Sequence, residues 1–275
     1  MRLSSLLHYA LSICACCIGG YVKVLVCVTQ TLEVSTYIEL TPDGRSLDPA
    51  FATALVNEAD LCAVEEALAL VEAAGGGEVV LVSVGEDAAE EALRSALSLG
   101  PERAVRVWGE GVVLADTRSI AAALLACVES EAPDLVLTGV QASDTGAQSV
   151  GPALAAMWGV ACVPVGRRLS ASGSTLQLER EFEAGLVERV EVDLPALVTV
   201  QVGANTPRYG SFKDKMRAKK ADISVVQPLA LPPSRITLAR MEVAPTGSHR
   251  SLELIEGGPS AVATRIMDLV REAQS

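Results

Sequence analysis

Up to Gly159 the chain alternates short apolar runs with longer segments of helical periodicity. Val22–Val28 (VKVLVCV), Glu78–Val84, Ala104–Trp108 and Leu135–Leu137 have the length and near-continuous apolarity of strands buried on both faces. Between them lie four helical patterns. One starts near Asn57, carries Leu61, Val64, Leu68 and Val71, and ends at Gly75-Gly76-Gly77. A second runs from Asp87 to Leu99 and is closed by Gly100-Pro101, and a third from Thr117 to Ser130 shows Leu124, Leu125 and Val128 on one face. The fourth starts at Val150 with Leu154 and Met157. Thr36–Leu40 reads as a short edge strand before the turn Thr41-Pro42-Asp43-Gly44. Strands alternating with helices of this length predict an α/β fold: a doubly wound, mostly parallel sheet with helices on both faces.

Beyond Gly159 the pattern changes. Cys162–Leu169, Thr175–Phe182 and Leu186–Val192 read as strands of a smaller antiparallel sheet, and Pro195–Val200 returns to a buried strand. Gly203–Lys220 reads as a long loop holding Arg208, Lys213, Lys215, Arg217, Lys219 and Lys220 against the single acid Asp214. A Pro-rich tail follows from Pro228 and closes in a helix at Ser260–Glu272, with Val262, Ile266, Leu269 and Val270 on one face. That apolar stripe either folds back on the core or wraps a second subunit. The reading divides the chain into an extension (1–21), an α/β domain (22–226) and a C-terminal arm (227–275).

Charge and composition narrow the function. A net charge of −12 and only 3% aromatic residues argue against nucleic-acid binding, which needs a basic face or stacking platforms. Against that acidic background the 203–220 cluster stands out. It is either a solvated loop or a docking surface for an acidic partner. Seven cysteines, odd in number and irregular in spacing, make no disulfide framework and point to a reducing cytoplasm. Cys14 and Cys17 form a CxxC with no second pair and no nearby His, so no zinc site is expected. The two histidines, His8 and His249, sit near the ends, and no Ser–His–Asp set, metal triad or acid–base carboxylate pair can be assembled. Glu65 and Glu66 diverge by about 100° on a helix, so they read as one surface and one boundary residue.

Candidate chemistry concentrates in Asp134–Gly151, DLVLTGVQASDTGAQSVG. Strand, small-residue loop and helix start follow in that order. The arrangement puts backbone N–H groups at a strand's carboxyl end, where they can hold a phosphate; an ordinary capped turn is the other reading. Gly146 allows close approach of a ligand, and Thr145 and Ser149 offer hydroxyls. Asp144 repels a phosphate and fits better as an N-cap or a ribose contact. The loop is neither GxGxxG nor GxxxxGK[ST]. Thr29-Gln30-Thr31-Leu32-Glu33 after the first strand lacks the Gly/Ser-rich loop that an ATP pyrophosphatase or adenylating enzyme needs there.

Several segments together resemble one family, the beta subunit of electron-transfer flavoproteins. They are VKVLVCV, AVEEAL (Ala63–Leu68), VSVGE with ALSLG (Ala96–Gly100), DLVLTGVQASD, LEREFEAGLVERVEVDLPALVTV, and NTPRYGSFKDKMRAKK (205–220). In family order they span roughly Val22 to Val226, and the last is the most specific. The resemblance implies a Rossmann-like, adenine-nucleotide-binding domain without a redox centre of its own: an electron carrier subunit rather than an enzyme. It implies a heterodimer whose alpha subunit carries FAD, fed by flavin dehydrogenases such as acyl-CoA dehydrogenases, with AMP bound structurally in beta. By position, the nucleotide-binding residues are Cys27, Asn57, Glu58, Ala59, Asp60, Val84, Gly139, Gln141, Ser143, Asp144, Thr145, Gly146, Ala147, Gln148, Ser149 and Val150. The partner-docking residues are Glu181, which faces the alpha subunit's flavin domain, and Arg208, Tyr209, Phe212 and Met216, with Phe212 in the place of an anchor leucine.

The chain departs from the family pattern at several places. The Asn-Pro-Phe turn is Asn57-Glu58-Ala59, the lysine after the first strand is Thr29, and Leu-Pro-x-Ile-Met is Phe212-Lys213-Asp214-Lys215-Met216. DTGAQSVG resembles the loop of bifurcating members, which hold a second FAD in place of AMP. A stand-alone adenine-nucleotide module of stress-protein type is the reading from another class; it needs neither a basic docking segment nor a tether.

Residues 1–21 carry a weak signal-peptide pattern, and Ser4, Ser5, His8 and Ser12 interrupt the apolar run too often for a membrane span. The expectation is an overextended bacterial reading frame: Gly19-Gly20 encoded by a ribosome-binding GGAGG and Val22 by a GTG start. N-terminal sequencing of the native protein is expected to find a chain starting at position 22. One that starts at Met1 overturns this.

Overall fold

The computed structural model describes residues 21–34, 37–114, 116–228, 231–243 and 254–273. The extension expected at 1–21 lies outside these residues apart from Tyr21. Two compact units divide after Met241. The larger unit is built on strands β1 (Val22–Cys27), β2 (Gln30–Val34), β3 (Ala52–Val56), β4 (Gly77–Val84), β5 (Arg103–Val107), β6 (Leu135–Gly139), β7 (Ala161–Ser172), β8 (Thr175–Glu181), β9 (Val187–Asp193), β10 (Ala196–Val200) and β11 (Ile223–Val226). Its helices are α1 (Glu58–Ala74), α2 (Ala89–Leu97), α3 (Thr117–Glu131), α4 (Val150–Trp158) and α5 (Phe212–Lys220); α6 (Pro259–Ala273) belongs to the smaller unit.

Nine strands form one sheet in the order β11-β5-β4-β1-β6-β10-β7-β8-β9, and β2 and β3 form an antiparallel ribbon. Every pairing from β11 to β7 is parallel; β7–β8 and β8–β9 are antiparallel. The fold is therefore the doubly wound α/β architecture expected. Alternation along each strand feeds two cores. Val24, Val26, Leu81, Leu135 and Leu137 pack under α1 and α2. Leu25, Val80, Val82, Val105 and Val136 pack under α3 and α4. Each such side chain, taken fully out of water, contributes about 1.5–3 kcal/mol. The α1 contact is made mainly by small residues, with Ala59, Ala63 and Ala67 buried alongside Val64 and Leu70. Leu61, expected in the apolar stripe, is only half-buried. Alanines let the helix sit close to the sheet.

Three expectations are corrected. Residues 37–39 form no strand, and Leu40 makes only a single bridge to Leu47; Thr36 lies outside the described residues. The ribbon β2–β3 takes that place, formed by alternating sequences too short to stand out. β7 is not purely antiparallel, because its first half follows the α4 crossover beside β10 and only its second half turns into the hairpin with β8. Val165 and Arg168 take positive φ where the strand changes course, and the Thr199 hydroxyl accepts the Val165 N–H at 2.9 Å. The stretch 203–220 is not all loop: its second half is α5. Its signal was the Ser211–Asp214 capping box rather than an apolar stripe, since only Ala218 of this helix is buried.

Residues 231–241 remain with the larger unit. Ser234 donates to the Asp116 carboxylate at 2.9 Å, and the Met241 N–H donates to the Gly44 carbonyl at 2.7 Å. No described helix is long and apolar enough to cross a membrane.

Candidate functional site: a crevice between two strand ends

The sheet order reverses between β1 and β6: from β1 the early strands run one way through β4, while β6 and its neighbours run the other. In open α/β sheets this switch point leaves a crevice at the carboxyl ends of the strands. The start of α1 and the loop 140–149 close over it.

Two buried polar side chains organise the crevice. Asp60, 3% exposed, accepts the Gly139 N–H on one carboxylate oxygen at 2.9 Å and the Thr29 N–H on the other at 2.6 Å. It thereby joins the ends of β6 and β1. Asn57, 2% exposed, donates to the Gln141 carbonyl at 2.8 Å and accepts the Ser143 N–H at 3.2 Å. No side chain fits at Gly139, because a Cβ there would collide with Asp60 and Ala59. Burial pushes the Asp60 carboxyl up to about 7, against the opposing pull of the N–H donors. Burial, with Asp60 close by, also raises the Cys27 thiol well above its usual range. Cys27 is therefore a neutral wall of the crevice.

The loop itself is held by local bonds. Gly146 donates to Ala142 at 2.9 Å in a left-handed conformation with φ of 69°. Ala142 donates to Ala147 at 3.0 Å, and the Gln148 amide to the Gln141 side chain at 3.1 Å. Ser143, Asp144, Thr145, Gly146, Gln148 and Ser149 are exposed on the crevice rim. Asp144 does not cap α4, contrary to one expectation: Ser149 holds that position, and the Asp144 carboxylate accepts the Leu32 N–H at 3.3 Å. Ser149 makes no cap bond either; its hydroxyl lies 3.0 Å from that of Thr117 at the start of α3. Thr117 went unnoticed in the sequence because nothing local marks it. Ala59 is buried, Glu58 is turned to solvent, and Val84 is half-buried at the end of β4.

This donor set can do limited chemistry. The N–H groups of Thr29 and Gly139 are taken by Asp60, so the hydroxyls of Ser143, Thr145 and Ser149, with the open face at Gly146, remain for a phosphate-bearing ligand. Only Gln141 approaches a Cβ built at Gly146, at 3.6 Å.

The residues expected to dock a partner divide. Tyr209, Phe212 and Met216 are 95%, 81% and 41% exposed. Glu181 is exposed but paired with Arg167, and its neighbour Arg180 stacks 5.0 Å over Phe182. Arg208 turns inward: its guanidinium lies against Glu65 at 2.9 Å and Glu72 at 2.6 Å on α1. Arg217 likewise donates to the carbonyls of Leu97 and Pro101, both at 3.0 Å. Lys213, Lys215, Lys219 and Lys220 are exposed cations of α5, and Arg217 is exposed as well although its guanidinium is bound. Glu66 is buried and accepts from Leu169 and Asn205, so Glu65 and Glu66 both serve the chain's own loops rather than the surface.

A doubly wound α/β domain with a crevice at its switch point is the class that fold and site define. The electron transfer flavoprotein domain model matches residues 51–231. The chain is 34% identical over 262 residues to the electron transfer flavoprotein subunit beta of Methylophilus methylotrophus, covering 91% of this chain and 98% of that one. It is 32% identical to the Bacillus subtilis (strain 168) subunit beta over 79% of this chain and 86% of that one. It is 32% identical to the protein FixA of Azorhizobium caulinodans over 74% of each. The chain belongs to the electron transfer flavoprotein beta-subunit family, and its place is in electron transfer with a flavin-carrying complex.

The Asp60 carboxyl gives a pH signature. Its folded value of about 7 lies above the ordinary 3.8, so the stability it contributes is fully present below about pH 4 and is lost as pH rises through 7. The loss is on the order of 4 kcal/mol. Asp60→Asn cannot titrate, so urea unfolding at pH 5 and pH 8 is expected to show a stability gap between the two chains that narrows at the higher pH. A gap that stays constant rules this out.

Proposed function

We propose that the chain is the beta subunit of a heterodimeric electron-transfer flavoprotein and that its crevice holds AMP as a structural element. FAD in the alpha subunit would supply the electron-carrying chemistry when bound. The heterodimer would accept electrons from flavin dehydrogenases, such as acyl-CoA dehydrogenases, and pass them to a downstream acceptor. The observation that carries the nucleotide reading is the crevice itself, where Asn57 and Asp60 hold the strand ends and leave the hydroxyl rim at Gly146 clear. Ser143, Thr145 and Ser149 would contact the phosphate, Cys27 and Val84 would wall the base or ribose, and Asp144 is turned toward β2. The family names point to an electron carrier subunit rather than an enzyme. Glu181, Tyr209, Phe212 and Met216 face partners, and the arm with α6 wraps the alpha subunit through Ile266, Met267 and Val270, about half exposed here. The reading places the heterodimer in the cytoplasm.

The loop DTGAQSVG carries one carboxylate, Asp144, and this keeps a second FAD in place of AMP as the competing reading. Co-expression with the neighbouring alpha gene, denaturation and identification of the released nucleotides separates the two. One FAD and one AMP per heterodimer is the expected result; two FADs favour the bifurcating form, and ATP on a homodimer without flavin favours the stand-alone module. Gly146→Glu is expected to abolish the beta nucleotide by bulk and charge while Gly146→Asn, tolerant of positive φ, retains it. Unchanged content in the Glu variant removes this loop from the site. Phe212→Ala is expected to raise the dehydrogenase KM about tenfold with flavin content intact. Loss of flavin in that variant makes the segment structural and ends the docking reading.

A further inference from the structure

We infer that Arg208 is a positioning residue, whose guanidinium ties the segment carrying Tyr209, Phe212 and Met216 to α1 and so fixes how those side chains are presented. The inference rests on the docking reading above and replaces contact by Arg208 itself with control of its neighbours.

The segment needs external support. The helix α5 is nine residues long with only Ala218 buried. A helix this short is marginal by itself, since nucleation is costly and packing normally supplies the stability. Its placement must come from bonds rather than from a core. Those bonds are present at both ends. On the N-terminal side the Arg208 N–H donates to a Glu65 oxygen at 3.0 Å, and its Nε and Nη2 donate to the two Glu65 oxygens, each at 2.9 Å. Its Nη1 donates to Glu72 at 2.6 Å. Just before it, the Asn205 amide donates to the Cys62 carbonyl and to Glu66, both at 2.9 Å. Gly210 then rests on the Ser98 carbonyl so closely that no side chain fits. On the C-terminal side Arg94 donates to the carbonyls of Ala218, Lys219 and Ala221.

The planar fork of arginine meets two carboxylates one helical turn and more apart on α1, a geometry the point charge of lysine cannot copy. Burial works to raise Glu65, but the Arg208 hydrogen bonds outweigh it and hold both Glu65 and Glu72 below the ordinary carboxylate range. One guanidinium is thus shared between two carboxylates of the chain itself, and Arg208 has little left to offer a partner. The same α1 begins at Asn57 and Asp60, so one rigid helix carries both the crevice wall and the docking segment.

The test uses the full heterodimer with Arg208→Gln, Glu65→Gln and the double variant, beside Phe212→Ala. Hydrogen–deuterium exchange of 209–220 is expected to rise about tenfold in all three clamp variants. The dehydrogenase KM is expected to rise about fivefold with kcat within about twofold, and the double variant to be no worse than either single one. Nucleotide content stays at the wild-type level. Unchanged exchange overturns the inference. So does a KM rise in Arg208→Gln that Glu65→Gln does not share, since Arg208 would then touch the partner directly. A KM moved by Phe212→Ala alone overturns it as well. Faster exchange with KM unmoved in every variant, Phe212→Ala included, overturns the docking reading and leaves the clamp supported.

Discussion

Where β1 and β6 end, two backbone N–H groups face the same crevice and one carboxylate, Asp60, takes both. A buried N–H without an acceptor costs about 1–3 kcal/mol, and here a side chain from α1 meets that need twice. Two consequences follow. The switch point of the sheet is held at a fixed width, and the first turn of α1 is set over it. Cost accompanies this arrangement, because burial opposes ionisation of the carboxyl and pushes it up to about 7.

Helix α1 then serves as a strut. Its first turn, with the preceding Asn57, pins the loop 140–149, while its middle carries Glu65, Glu66 and Glu72, which hold the segment 205–208. Alanines along its inner face bring it close to the sheet. A helix buried by small residues and tied at several points by charge-assisted bonds has little freedom to tilt. The surface it supports is correspondingly well placed: Tyr209 and Phe212 stand out almost fully exposed on a segment whose backbone is fastened on both sides.

The legibility of the chain followed the strength of each local signal. Strands buried on both faces were readable, because continuous Val and Leu runs between glycines have few other uses; β1, β4, β5, β6 and β10 all fall there. The ribbon β2–β3 and the short β11 were not, since a five- or four-residue strand with mixed polarity looks like a loop. Helix α5 hid for a related reason: its residues are Lys, Arg and Asp, and its only marks are a cap at Ser211 and one buried alanine. The crevice residues were legible as types, but the N-cap role offered for Asp144 falls to Ser149 and Thr117 was given no partner, because their neighbours lie on elements far away in sequence.

By itself the sequence determined the class of fold, the order of the buried strands and the helices to Gly159 apart from the β2–β3 ribbon, the place of the small-residue loop and the family resemblance. Each of these rests on periodicity, turn chemistry or motif order, which are local properties. Only the tertiary structure decided which way charged side chains turn. Arg208 and Arg217 count as surface cations in any reading of composition, yet both fold inward onto carboxylates and carbonyls brought near by α1 and α2. Asp60, named from the sequence as a nucleotide-binding residue, is the buried junction of two strands. Where a long or charged side chain finds its partner depends on which elements meet, and that is settled only when the sheet has formed.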